Sequence, residues 1–287
     1  MFESPLRTVR FESLRPAEIL AERRRCPVVY LPLGPLEWHG LHLPFGTDAL
    51  NAETVAREAA LRTGGVVLPT LFCGTERERP PEKLGHLGLD PNAYIVGMDF
   101  PGNLLPSLYF PEEVFALVVR TYLDQLQRLD YRLIVLVNGH GARNQVEVLH
   151  RLALEFSAHG KAQVLLVFAF PKADTAVVGH ADAVETSIML AVDAGSVDLT
   201  QLPPEPAPLF FADTGIVDAA SFQGDPTPDR SLPPQADPRL NASFEQGKAL
   251  LERTVTEVAG HVQQALHKIM PESARSADDT YLSGEKG

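Results

Sequence analysis

Three short, almost wholly apolar runs, residues 27–33, 133–137 and 164–170, punctuate this chain, and helical patterns fill the stretches between them. Such a run gives no polar face to solvent, which suits a strand of a parallel sheet buried on both sides. Helical periodicity covers residues 17–25, 49–62, 111–129, 144–159 and 241–270. Gly64-Gly65 and Gly160 stop two of these segments and Pro271 ends the last. The strand–loop–helix rhythm predicts an α/β fold of three layers, α/β/α, with a mostly parallel sheet covered on both faces.

No internal repeat or linker divides the 287 residues. The expectation is one α/β domain over residues 1–287, with a polar tail after about residue 272 that has the composition of a disordered segment. Residues 203–208 and 225–238 are proline-rich and read as loops. Residues 74–103 carry many prolines, glycines and charges with little periodicity, the pattern of a long irregular loop serving as a substrate lid. The net charge of −12, without a basic block, argues against a nucleic-acid binder. The run Arg23-Arg24-Arg25 reads as the solvated end of a helix. No stretch approaches the ~18 apolar residues of a membrane span, and the amino terminus lacks an apolar signal core, so the reading is cytoplasmic. Cys26 and Cys73 are too few and too far apart for a disulfide framework, and neither has metal-ligand spacing.

The chemistry concentrates behind the strands. Glu37-Trp38-His39-Gly40-Leu41-His42-Leu43-Pro44-Phe45-Gly46-Thr47-Asp48 follows the first run and holds two carboxylates and two imidazoles in twelve residues. That is a ligand set for Zn²⁺, Mn²⁺ or Fe²⁺. Asn138-Gly139-His140-Gly141 closes the second run, and Gly179-His180-Ala181-Asp182-Ala183-Val184-Glu185-Thr186-Ser187 follows the third. Three strands each followed by a histidine predict a metal site at the carboxyl edge of the sheet, where open α/β folds place their chemistry.

Glu37-x-His39-Gly40-x-His42-Leu43-Pro44-x-x-Thr47-Asp48, Asn138-Gly139-His140-Gly141 and His180-x-x-x-x-Glu185-Thr186-Ser187 resemble the three signatures of the creatininase (creatinine amidohydrolase) family. The segment Asp237-Pro238-Arg239-x-x-Ala242-Ser243-x-Glu245-x-Gly247 is similar to that family's start of the final helix, and the resemblance spans residues 15–264. It implies a creatininase-like α/β/α domain with two divalent ions, Zn²⁺ or Mn²⁺ with Fe²⁺ as a third candidate. It also implies hydrolysis of a C–N bond in a small cyclic or linear amide, lactam or formamide by an activated water. By position, Glu37 and His140 would hold one ion, His39 the other, Asp48 both, and His180 would be the catalytic acid/base. Creatininase itself has a glutamate ligand two residues after the second-motif histidine, where this chain has Ala142; Glu185 is the substitute the resemblance offers. The family's asparagine three residues after that histidine is Arg143 here. Trp38 is the only tryptophan, whereas creatininase encloses creatinine with later tryptophans, which argues against creatinine as substrate. The resemblance further implies a small-molecule substrate and a homo-oligomer, a hexamer by analogy.

Each residue has a plainer alternative. Asp48 would also serve as the N-cap of the helix that follows it. His42 either hydrogen-bonds a ligand carboxylate or is a packed loop residue. His180 could cap a helix, Glu185 could lie on a solvated helix face, and Asp182 competes with both. Arg143, Arg79, Lys83 and His86 are candidates for substrate recognition, and Cys73 lacks the partner a nucleophile needs. Other enzymes of this fold leave two rivals open, C–C cleavage of a cyclic ketone and peptide-bond cleavage in peptide-cofactor maturation. A metal-binding scaffold is the non-catalytic alternative.

Overall fold

The computed structural model describes residues 7–170, 179–212, 215–225 and 232–269. In chain order the elements are α1 (Pro16–Arg25), β1 (Val28–Gly34), α2 (Thr47–Thr63), β2 (Val66–Val67), β3 (Leu71–Phe72), α3 (Pro81–His86), α4 (Glu112–Arg128), β4 (Leu133–Asn138), α5 (Arg143–His159), β5 (Gln163–Phe168), α6 (Ala183–Asp193), β6 (Leu209–Ala212), β7 (Gly215–Asp218), α7 (Ala219–Phe222), α8 (Pro238–Asn241) and α9 (Phe244–Ile269). The polar tail anticipated after residue 272 lies outside the described residues. Among those described, no helix is long and apolar enough to cross a membrane.

The three apolar runs are β1, β4 and β5. They pair in parallel in the order β2-β1-β4-β5, with β3 also parallel on β1. Successive side chains leave opposite faces of a strand. Val29, Leu31, Leu33, Ile134 and Leu136 therefore share a cluster with Phe115, Val119 and Leu123 of α4 and Leu149 and Leu152 of α5. Val28, Tyr30, Leu133, Val135 and Val137 face the other way, in a cluster with Ala52, Val55 and Ala56 of α2 and Val255, Val258 and Val262 of α9. All ten of these strand residues are 0 % exposed, so the continuous apolar runs are explained by helices on both faces.

Two expectations are corrected. The helix predicted over 241–270 starts at Phe244 and runs as one element, α9, while Asn241 ends the separate short helix α8. Ala242 takes an extended backbone (φ −78°, ψ 136°), and the Ser243 hydroxyl accepts the Gln246 N–H at 3.2 Å, starting α9 afresh. Residues 74–103 are more than an irregular loop. They contain α3, and Leu84, Leu87, Leu89, Ile95, Met98 and Phe100 form a small core with Ala212, Val217 and Phe222 of the β6–β7 hairpin and α7.

α9 crosses α6 at very short range. A Cβ on Gly247 would lie 1.7 Å from the Ser187 carbonyl oxygen. Gly247→Ala must push the helices apart, and overpacking of this kind costs typically ~1–3 kcal/mol. The urea midpoint of that variant is expected to fall clearly below wild type; an unchanged midpoint would show that α6 and α9 separate freely.

Candidate metal centre

β1 and β4 are neighbours in register, Leu33 beside Asn138, so the loops leaving their carboxyl ends start side by side. The first carries Glu37 and His39, the second His140. A Cβ on Gly139 would lie 2.0 Å from the Asp48 carbonyl oxygen; only glycine lets the turn after β4 pass beneath the start of α2. α2 begins at Thr47 with Gly46 before it and no side-chain cap, so Asp48 is a first-turn residue and not the N-cap. Glu185 occupies the first turn of α6 and points to the same place.

The carboxylates converge on the imidazoles. His140 Nδ1 is 2.8 Å from Asp48 Oδ2 and 3.0 Å from Glu37 Oε2. His39 Nε2 is 3.3 Å from Asp48 Oδ1, 3.6 Å from Glu185 Oε1 and 4.0 Å from Glu37 Oε2. Among the described residues, three groups of side chains could each hold an ion, with donor atoms within 4.8 Å of one another: Glu37, Asp48 and His140; His39, Asp48 and Glu185; Glu37, His39 and His180. Asp48 belongs to the first two.

The donor set fits divalent cations. Glu37 Oε2, His39 Nε2 and Asp48 Oδ2 are buried without a hydrogen bond of normal geometry. An unsatisfied buried group costs ~1–3 kcal/mol, more if charged, and three at one point call for a cation. His39 Nδ1 lies 3.0 Å from the Glu37 carbonyl, which can only accept. Nδ1 therefore keeps a proton in either charge state, and Nε2 is the nitrogen left for an ion. Burial would raise the Glu37 carboxyl, but the charges of His140, His180 and His39 outweigh it and hold the group well below the usual range. Burial would likewise depress the imidazoles. The Glu185 and Asp48 carboxylates instead raise His39, and the Glu37 and Asp48 carboxylates raise His140, well above the usual histidine value. A field that holds protons so firmly favours a divalent ion still more.

His180 lies at the edge of this cluster. Its ring is tilted by 33° over His39 with centroids 4.2 Å apart. Nε2 is 2.6 Å from the Trp38 carbonyl, and Nδ1 is 3.7 Å from Glu37 Oε1. Burial and the neighbouring His39 charge lower its pKa. Asp182 is the N-cap of α6, accepting the Val184 and Glu185 N–H groups, so its oxygens are occupied away from the donors. His42 Nε2 bonds the Thr186 hydroxyl at 2.9 Å rather than any ligand carboxylate, and burial pushes its pKa down to about 4.

A cavity of about 910 Å³ opens above the donors. Ala142, Val146, Phe168 and Phe170 supply apolar walls, and Arg77, Lys83 and Arg143 stand among its charged lining residues. Arg143 is well exposed, with Nε on Glu147 Oε1 at 2.8 Å. Arg79 is buried, its guanidinium 5.3 Å from the Phe100 ring and its Nη2 3.2 Å from the Met98 sulfur, which makes it a brace for residues 95–100. His86 is not among the lining residues. Cys73 is buried in the sheet core, and burial pushes its thiol up to about 11, which leaves no thiolate for a nucleophile.

Sequence reasoning missed three residues. Tyr109 Oη donates to Glu37 Oε1 at 2.6 Å. Ser107 Oγ accepts the Trp38 N–H at 2.9 Å and donates to Asp99 Oδ1 at 2.6 Å. They lie in a stretch without motif or period. Their link to the first motif is the antiparallel bridge of Leu108 with Leu36, which no local signal announces.

Comparison with known proteins gives the family. The creatininase family model, described as creatinine amidohydrolase, matches residues 12–262. This chain belongs to the creatininase family, whose founding activity is hydrolysis of an amide C–N bond. Creatinine amidohydrolase of Pseudomonas putida is 28 % identical over 257 residues, covering 83 % of this chain and 89 % of that protein. The 3-dehydro-scyllo-inosose hydrolase of Thermotoga maritima is 23 % identical over 149 residues, 52 % of this chain and 41 % of that protein. A crystal structure of creatinine amidohydrolase, 26 % identical, superimposes with a TM-score of 0.64 over 90 % of this chain and 98 % of that one.

Proposed function

We propose that this chain is a two-ion hydrolase that cleaves the C–N bond of a small cyclic or linear amide, lactam or formamide. The observation that carries the reading is a pair of three-donor groups sharing Asp48 at the floor of a cavity. Glu37 and His140 would hold one ion and His39 and Glu185 the second, with Asp48 available to both. Oxygen and nitrogen donors in this mixture suit Zn²⁺ or Mn²⁺, with Fe²⁺ as a third candidate. The ions supply Lewis acidity, activating water and polarising a carbonyl. His180 fronts the cavity; its Nδ1 takes a proton from the attacking water and returns it to the leaving nitrogen. The apolar walls exclude water and receive the uncharged part of the substrate. Cyclic-ketone hydrolysis is the second reading, favoured by the partial likeness to the inosose hydrolase.

Elemental analysis of protein prepared without chelator tests the metal count: two ions per chain are expected. Glu185→Ala should keep one ion tight and release the other, with activity lost in step, because His39 and Asp48 alone remain in that group. A variant retaining two tight ions and full turnover would reduce Glu185 to a helix-surface residue.

A homo-oligomer, with a hexamer as the expectation, belongs to the same reading. Leu104, Leu105, Leu108 and Leu117 are each more than half exposed, at 76, 59, 56 and 63 %. These exposed leucines are candidates for contact with a second copy of the chain. Light scattering is expected to give a multiple of the chain mass, and a monomer at micromolar concentration would remove the idea.

A further inference from the structure

We propose that residues 99–109 are the positioning frame of the centre, with Tyr109 fixing Glu37 and Ser107 fixing, through the backbone of Trp38, the tautomer of His180. The Tyr109 half rests on the two-ion reading above.

The stretch is anchored at both sides of Tyr109. The Leu108 N–H donates to the Leu36 carbonyl at 2.8 Å, and the Phe110 N–H donates to the Gly74 carbonyl at 2.8 Å. Ser107 and Tyr109 flank Leu108 and so leave an extended backbone on one side. That side is the first motif. Tyr109 gives its single proton to Glu37 Oε1 at 2.6 Å. One carboxylate oxygen is thereby satisfied, and Oε2, buried and without a hydrogen bond, is the atom left for an ion. The phenol turns a two-oxygen ligand into a one-oxygen ligand of fixed direction.

The second arm is a chain of obligatory donors and acceptors. Ser107 Oγ gives its only proton to Asp99 Oδ1 at 2.6 Å, so its lone pair meets the Trp38 N–H at 2.9 Å. The Asp99 carboxylate also accepts the Ser107 N–H at 2.9 Å, which holds the hydroxyl in place. The far side of the Trp38 residue then offers its carbonyl to His180 Nε2 at 2.6 Å. A carbonyl only accepts, so Nε2 carries the proton and Nδ1 is the basic nitrogen. Tyr109, Ser107 and Asp99 are positioning residues: each acts through Glu37 or His180.

The test uses the full chain, wild type and with Tyr109→Phe, Ser107→Ala and Ser107→Thr. Zn²⁺ affinity is read by competition with a chromophoric chelator, and the His180 tautomer by ¹⁵N NMR on ion-free protein. Loss of an outer partner of a metal ligand typically weakens binding ~10–100-fold. Tyr109→Phe is expected to weaken one Zn²⁺ by that factor while the ion-free protein keeps the wild-type circular dichroism spectrum. Ser107→Ala should keep both Zn²⁺ affinities but turn a pure Nε2–H His180 into a tautomer mixture, and Ser107→Thr, which keeps the hydroxyl, should restore it. Unchanged Zn²⁺ affinities in Tyr109→Phe overturn the first arm; an unchanged tautomer in Ser107→Ala overturns the second. A wild-type chain that takes up no ion defeats the two-ion reading and the first arm with it, and the tautomer measurement still decides the second.

Discussion

Asp48→Ala is expected to empty both ion positions at once. Asp48 is the one carboxylate common to the Glu37–His140 and His39–Glu185 groups, with Oδ2 2.8 Å from His140 Nδ1 and Oδ1 3.3 Å from His39 Nε2. Without it each group falls to two donors, and ion affinity should fall by more than the ~100-fold that loss of an outer partner can cause. Glu185→Ala, by contrast, leaves the first group whole, so the two variants separate a shared ligand from a private one. The fold itself should tolerate the change. Asp48 does not cap α2, and an acidic group in a first turn contributes ~0.3–1 kcal/mol through the helix dipole. Removing one of three clustered carboxylates offsets part of even that. Metal content after gel filtration, together with the shift in melting temperature on adding Zn²⁺ or Mn²⁺, measures the outcome. Two tight ions in Asp48→Ala would sink the bridging assignment, and a wild-type protein that gains no stability from either ion would sink the metal centre itself.

The residues that converge here were legible because each lies within a few positions of a strand end. Glu37, His39 and Asp48 crowd twelve residues, and β1 and β4 must be neighbours for His140 to reach them, which a parallel sheet makes natural. The choice between Glu185 and Asp182 was not legible. Both sit at the start of α6, and only the hydrogen bonds from Val184 and Glu185 N–H to Asp182 assign the cap to one and the inward carboxylate to the other. The small core of Leu84, Leu87, Ile95, Met98 and Phe100 escaped for a different reason. Its members follow no 3.6- or two-residue period, because they pack from turns against a hairpin more than a hundred residues later. Tyr109 and Ser107 were hidden in the same way: a hydroxyl becomes informative only when the chain that receives its hydrogen bond is known. Local pattern thus announced the converging donors, while long-range contacts decide which of their atoms are left open.

His180→Ala is expected to separate chemistry from binding. The ring stands over His39, but its Nε2 is committed to the Trp38 carbonyl at 2.6 Å, and Nδ1 faces Glu37 Oε1 at 3.7 Å on the cavity side. A group so held is expected to relay protons and to be dispensable for holding an ion, since Glu37 and His39 each belong to a three-donor group without it. Acid/base residues contribute typically ~10²–10⁴-fold in rate. With metal-loaded enzyme and a substrate taken from a screen of lactams, formamides and small amides, kcat should drop by that factor with KM nearly unchanged and two ions still bound. The split matters because Glu37, His39 and His180 also form a donor group of their own. If the variant loses one ion and its turnover falls in proportion, His180 is a ligand, and the proton must then be carried by another side chain of the cavity wall. If it keeps both ions and full turnover, neither role survives. Loss of rate with both ions in place is the result that joins the tilted ring, its fixed tautomer and the amide chemistry of the family into one mechanism.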